Sequence, residues 1–304
     1  MKTIEIAKDM QASVLSLGCM RIADHSAGDL EKLINTALDL GINHFDHADI
    51  YGGGKCETVF GNLLRDKPSM RDKMLIQSKC GIGKGQYDFS KEHILSSVDA
   101  SLKRLNTDHL DTLLLHRPDA LMEPEEVAQA FNILEESGKV RYFGVSNFNT
   151  LQFQLMQSAL KQKIIANQLQ LSIMHTGLID FGINTNTKFD GGIDRDGSIL
   201  DYCRLKDVTV QAWSPFQYGF FEGVFVDNEK FPKLNEKLAE AAESHGVSKS
   251  AIAAAWILRH PSKMQVVLGT TNPDRLTDIS GGADICLTRS QWYEIYLAAG
   301  NTLP

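Results

Sequence analysis

Asp46, Tyr51, Lys79 and His116 stand in this order along the chain, each at or just beyond the end of a short apolar run. Asp46 closes Ile42-Asn43-His44-Phe45, Lys79 closes Met74-Leu75-Ile76-Gln77 and His116 closes Asp111-Thr112-Leu113-Leu114-Leu115, while Tyr51 lies five residues beyond Asp46. Together these types can deliver a proton to a carbonyl oxygen. A phenol with a pKa near ~10 is a poor acid at neutral pH, but a nearby ammonium favours the phenolate and lowers that pKa. Lys79 supplies the ammonium in this reading and Asp46 holds it in place. His116 hydrogen-bonds the substrate oxygen and offers a second route for a proton. No protein side chain donates a hydride, so a nicotinamide cofactor is implied.

Residues gathered this way need a scaffold that brings several strand ends to one place. Apolar runs of strand length recur with helical segments between them, the pattern of parallel βαβ units. Eight strands are expected, at Val14–Leu17, Ile42–Phe45, Met74–Gln77, Thr112–Leu115, Val140–Val145, Ala166–Leu169, Thr209–Ala212 and Gln265–Leu268. Thr3–Ile6 precedes them as a candidate hairpin strand. Amphipathic helices are expected at Asp29–Leu40, closed by Gly41, and at Glu57–Leu64, Lys91–Leu105 and Pro124–Ser137. A further helix, Thr150–Leu160, has Asn149 as its N-cap, and later ones fall at Ile199–Leu205, Lys233–His245, Lys249–His260, Pro273–Ile279 and Arg289–Ala299. The fold class is therefore α/β, a (β/α)8 TIM barrel with an N-terminal β-hairpin and additional C-terminal helices. With no Pro/Gly-rich linker in the chain, residues 1–304 read as a single barrel domain, reactive at the C-terminal ends of its strands.

The 304 residues are 43% hydrophobic, enough for a sizeable core, and carry a formal charge of −7 with no basic block. That argues against a nucleic-acid surface. No run approaches the ~18 apolar residues of a membrane span, and the start lacks a signal-peptide core, so a cytoplasmic location is expected. The five cysteines are widely spaced without a Cys-x-x-Cys pair, which indicates neither a disulfide framework nor a structural zinc site. Cys19, Cys56 and Cys80 fall in expected loops at the reactive end and are read as passive. Gly81-x-Gly83-x-Gly85 lacks the G-x-G-x-x-G spacing, Gly52-Gly53-Gly54-Lys55 is followed by Cys56 instead of Ser or Thr, and both read as sharp turns.

The run Asp46-His47-Ala48-Asp49-Ile50-Tyr51-Gly52, then Lys79, His116-Arg117-Pro118 and Phe143-Gly144-Val145-Ser146-Asn147-Phe148, resembles the aldo-keto reductases. The likeness extends from Leu17-Gly18 to Arg275, and the long sixth loop beginning His175-Thr176-Gly177 resembles the bacterial YdhF-like branch. The resemblance implies NAD(P)H-dependent reduction of a small carbonyl compound by a monomer or weak oligomer. Tyr51 would be the general acid, Lys79 and Asp46 its tuning pair and His116 the substrate-orienting residue. Ser146, Asn147 and Gln168 would hold the nicotinamide carboxamide, with Trp213 stacked on its ring. Ser214, Phe216 and Gln217 would approach the pyrophosphate, and Met20, Arg21 and Thr271 would also contact the cofactor. Gly269, Thr270 and Arg275 match the adenosine-phosphate segment, where Arg275 holds a 2′-phosphate. Many relatives carry a lysine at the Gly269 position, so NADPH is the expected cofactor with some NADH use.

Two long loops, Ser172–Ser198 and Ser214–Lys230, bring Phe181, Phe189, Phe216, Tyr218, Phe220, Phe221 and Phe225 to the reactive end. They are expected to form a mobile, apolar substrate lid. Two other readings remain open at this point. Strand alternation puts His44 and Asp46 on one face, where a metal-dependent hydrolase would place ligands with Lys79 and His116. A barrel that binds the cofactor as a sensing or regulatory subunit is the other.

Overall fold

The computed structural model describes residues 1–303. Its centre is a closed barrel of eight parallel strands in sequence order. They are β1 (Leu15–Gly18), β2 (His44–Asp46), β3 (Leu75–Cys80), β4 (Leu110–Leu115), β5 (Val140–Ser146), β6 (Ile164–Gln170), β7 (Thr209–Trp213) and β8 (Met264–Leu268). Closure comes from β8 pairing with β1 through Val266–Leu15 and Leu268–Leu17. A helix follows each strand, so this is a (β/α)8 barrel.

Each strand overlaps its expected position, and most run further. β3 continues to Cys80, so Lys79 lies inside the strand instead of ending it. A polar residue breaks an apolar run without breaking the ladder, because the backbone bonds do not depend on the side chain.

The helices form where their apolar stripe and caps agree. Ala27–Asp39 buries Leu30, Leu33, Ile34 and Ala37, a helical period, and starts at Ser26, whose hydroxyl accepts from the Asp29 amide at 3.2 Å. Gly41, with φ of 80°, turns the chain out of it into β2. Thr150–Ala159 opens with a full capping box between Asn149 and Gln152.

The N-terminal hairpin pairs Thr3–Ala7 with Met10–Ser13. Ile6, Met10 and Ala12 pack with Leu114, Ile165 and Ala166, with Leu75 and Tyr142 at the margin, and so close the floor of the barrel. Trp256 and Trp292 stack at 4.6 Å, each indole N–H donating to the other's carbonyl, and dock the C-terminal helix Arg289–Ala298 on Lys249–Leu258.

The two long loops are more ordered than their composition implies. Ser172–Ser198 contains a helix at Gly177–Ile183 and a short turn at Asp190–Gly192. Ser214–Lys230 holds a small hairpin, Gln217–Tyr218 against Gly223–Val224. Among the described residues no helix is long and apolar enough to cross a membrane.

Candidate active site

Lys79 is fully buried and spends all three ammonium protons on protein oxygens. It donates to Asp46 Oδ2 at 2.8 Å, to the His47 carbonyl at 2.8 Å and to the Tyr51 hydroxyl at 3.0 Å. An ammonium has no acceptor, so Tyr51 can only receive in this bond. The phenolic proton is left to point away from Lys79. Tyr51 owes its place to the next three residues: Gly52, Gly53 and Gly54 have φ of 58°, 63° and 88°, and a Cβ at Gly54 would lie 3.0 Å from Arg104. Only glycine tolerates that run.

Behind the ammonium lies a layer of side-chain amides that crosses the barrel interior. Gln77 donates to Asp46 Oδ1 at 2.7 Å and to Gln211 at 2.9 Å, and Gln168 donates to the same two oxygens at 3.1 and 3.2 Å. Gln211 returns bonds to Gln77 at 3.0 Å and Gln265 at 2.9 Å, and Gln265 ends the chain on the Ser13 carbonyl at 2.8 Å. The layer locks the carboxylate that locks the lysine. Gln77, Gln211 and Gln265 brace the cluster and were not anticipated from the sequence. The signal was there: Gln77-x-Lys79 and Gln211-x-Trp213 put a polar residue at the inward strand phase.

Burial would push the Asp46 carboxyl up, but the Lys79 charge and bonds from Lys79, Gln77 and Gln168 hold it below the usual carboxylate range. Burial opposes the charge on Lys79, and Asp46 and Tyr51 override it, so the ammonium persists. Tyr51 departs from expectation. Burial raises its pKa, Lys79 offsets this only in part and Asp46 adds to the rise, so the phenol is held neutral. The lysine charge is already compensated by the carboxylate beside it. His116 is likewise driven down to about 3 by burial, with Lys79 adding to the effect. It is held as a neutral imidazole, which keeps one N–H to donate to a substrate oxygen. Its ring meets Tyr51 edge-on at 5.9 Å, and Nδ1 is buried without a partner.

A cavity of about 1100 Å³ opens above this cluster. Asp46, Tyr51 and His116 line it, and Lys79 supports it from beneath. So do Met20, Arg21, Ser146, Asn147, Gln168, Trp213, Ser214, Phe216, Gln217, Gly269, Thr270, Thr271 and Arg275, which brings every residue expected to hold a cofactor to one surface. Trp213 Nε1 donates to Asn147 Oδ1 at 3.2 Å, Asn147 Nδ2 to Ser146 Oγ at 2.8 Å and Ser146 Oγ to the Gln168 carbonyl at 2.9 Å. That relay fixes the polar wall to the indole. Elsewhere on the lining Arg21 Nη1 donates to the Gly269 carbonyl at 3.2 Å, so a guanidinium stands beside the position that lacks a lysine. Arg117, Ile50, Ile82 and Val224 also line the cavity and were not anticipated.

No residue of Ser172–Ser198 lines the cavity, which corrects the expected two-loop lid. Its helix is tied to the C-terminus instead: Tyr296 donates to Asp180 at 2.7 Å, and Thr176 to Asn301 at 3.1 Å. At its root Ser172 donates to the Gln217 carbonyl at 2.7 Å and so props the other loop. Phe216 and Phe221 do face the cavity, while Phe225 is wholly buried. Cys19, Cys56 and Cys80 are buried, with burial raising each thiol's pKa. The hydrolase reading fails on its ligands. Lys79 keeps its proton and offers no lone pair, and His44 is committed to Ser16 at 2.7 Å. Among the described residues no three His, Cys, Asp or Glu are grouped to hold a metal ion.

The family model for the aldo/keto reductase family matches residues 14–297, and the chain belongs to that family. It is an oxidoreductase. It is 38% identical to the oxidoreductase YdhF of Escherichia coli, over 93% of this chain and 92% of that one. It is 36% identical to a 6-dehydroglucose reductase of Agrobacterium fabrum, over 98% of both chains. An aldo/keto reductase from Klebsiella pneumoniae, solved with NADP and acetate, shares the fold with a TM-score of 0.75 at 21% identity, over 97% of this chain and 94% of that one.

Proposed function

We propose that the protein reduces an aldehyde or ketone to the alcohol, with Tyr51 as the proton donor and NADPH as the preferred reductant. The observation that carries this reading is the Lys79–Tyr51 bond, in which the lysine has no proton-accepting site and the phenolic hydrogen is free to meet a substrate oxygen. Asp46 and the glutamine layer keep Lys79 in that pose, and neutral His116 orients the carbonyl.

The cofactor assignment rests on the donor set along the cavity. Ser146, Asn147, Gln168 and Trp213 would hold the nicotinamide end. Met20, Arg21, Ser214, Phe216 and Gln217 would line the pyrophosphate path. Gly269, Thr270, Thr271 and Arg275 would receive the adenosine phosphate. When bound, the reduced nicotinamide supplies the hydride. NADP bound to the Klebsiella protein, and the name of the Agrobacterium relative, support both the cofactor and a small carbonyl substrate. A cytoplasmic monomer or weak oligomer is the simplest setting.

The test is a panel of aromatic and aliphatic aldehydes, dicarbonyls and quinones, followed by loss of NADPH absorbance. Turnover of at least one class is expected. Tight NADPH binding with no turnover of any of them would overturn the enzyme reading in favour of a sensing or regulatory barrel.

A further inference from the structure

We propose that Arg117 is a substrate-recognition residue and that the favoured substrates carry a carboxylate at a distance from the reacting carbonyl. This rests on the reductase reading above. Arg117 follows His116 directly at the end of β4 and lines the cavity. Its guanidinium lies over the Trp213 ring, with Cζ 5.6 Å from the centroid. Trp213 is itself anchored on Asn147 and stacked at 6.0 Å against Phe221. The cation is therefore held by a ring face, a contact that consumes none of its N–H donors.

Among the described residues, no hydrogen bond or ion pair claims those donors. Asp119, the nearest carboxylate in sequence, is spent on the Phe89 and Leu121 amides at 3.0 and 2.9 Å. Among the carboxylates that line the cavity, Asp46 is held by Lys79, and Asp227 is paired with Lys249. Asp278 lies on the same helix as Arg275, three residues further on, and makes no ion pair with Arg117 among the described residues. An unpaired guanidinium on an apolar, partly enclosed wall draws an anion, and its planar fork matches one carboxylate with two parallel bonds.

Position assigns that anion to the substrate. Arg21 is bonded to the Gly269 carbonyl, whereas Arg117 follows His116 in the chain and lies over Trp213, and His116 meets Tyr51 edge-on. A lone cation there suits a single negative charge better than a phosphate dianion. Ile50, Ile82, Phe221 and Val224 add apolar lining to the same cavity, which suits an aromatic ring or an alkyl chain joining carbonyl and carboxylate.

The experiment compares 4-carboxybenzaldehyde with its uncharged amide counterpart in wild type, Arg117→Met and Arg117→Lys. Wild type should favour the carboxylate in kcat/KM by roughly tenfold or more, as a charge-assisted pair allows. Arg117→Met should bring the ratio close to one, and Arg117→Lys should fall between. An identical ratio in wild type and Arg117→Met would overturn the proposal. If neither aldehyde reacts, the reductase reading fails for this class, and binding decides the role of Arg117. Quenching of Trp213 fluorescence by terephthalamate should then be stronger than by neutral terephthalamide, and the difference should vanish in Arg117→Met. Equal affinities in wild type would refute anion recognition. Trp256 and Trp292, stacked on each other in the core, provide a constant background.

Discussion

Lys79 donates to the Tyr51 oxygen across 3.0 Å, and this bond decides the direction of the phenol's proton. Had the partner been a carboxylate or a carbonyl, the same distance would have tied that proton down. Because it is an ammonium with its other protons on Asp46 and His47, the hydroxyl keeps its hydrogen free for the cavity.

Replacing Tyr51 with phenylalanine keeps the ring against His116 and removes only the donor. Steady-state assays should show kcat reduced by at least ~10²-fold, with NADPH affinity nearly intact, the usual scale of general acid assistance. Unchanged turnover would remove Tyr51 from the mechanism.

The pH profile follows from two neutral groups. Tyr51 works as an acid only while protonated, and its pKa is raised, so reduction should persist through neutral pH and decline only as pH rises beyond the ordinary phenol range of ~10. His116, held at about 3, should add no inflection near neutrality. A break in kcat/KM between about pH 6 and 7, where free histidine titrates, that disappears in His116→Asn would contradict this.

For cofactor choice, Arg275→Ala should weaken NADPH by roughly 1.5–3 kcal/mol, about ten- to a hundredfold, if the arginine makes a charge-assisted contact to the 2′-phosphate. NADH lacks that phosphate and should hardly change. Arg21 beside Gly269 supplies a second cation from another loop, so Arg21→Ala should lower NADPH affinity further. Titrations of both cofactors into both variants decide it, and an equal loss for NADPH and NADH would refute phosphate recognition.

The glutamine layer makes its own prediction. Gln211→Leu leaves donors on Gln77 and Gln168 without one acceptor and removes the donor to Gln265, each orphaned buried group costing about 1–3 kcal/mol. Denaturant unfolding should show a clear loss of stability, and turnover should fall because Asp46 loses support. A variant as stable as wild type would mean the layer is not coupled.

Asp49 gives a stability signature. Burial, with Glu57 next, pushes its carboxyl up from 3.8 to about 7. A raised folded pKa contributes stability that is complete below the unfolded value of 3.8 and is lost as pH rises through about 7. Asp49→Asn has no such dependence. The Tm of wild type should therefore fall relative to the variant across that window, and parallel curves would place the Asp49 pKa elsewhere.

Much of this was legible in the residues alone. The eight strands and most helices follow from apolar period, caps and glycines, which act within a turn or a strand pair. The order Asp46, Tyr51, Lys79, His116 was visible because each stands at or beside a strand end, and a parallel barrel gathers those ends at one mouth. Tertiary structure decided what depends on partners far apart in sequence. That Gln77 meets Gln211, 134 residues away, could not be read from either strand. The aromatic Ser172–Ser198 loop looked like a lid, yet it turned toward the C-terminus because Tyr296 and Asn301 offered its polar groups partners there. The sign of the Tyr51 shift also needed the fold, since residue types imply a nearby ammonium but not how deeply the phenol is buried or whether Asp46 has already taken up that charge.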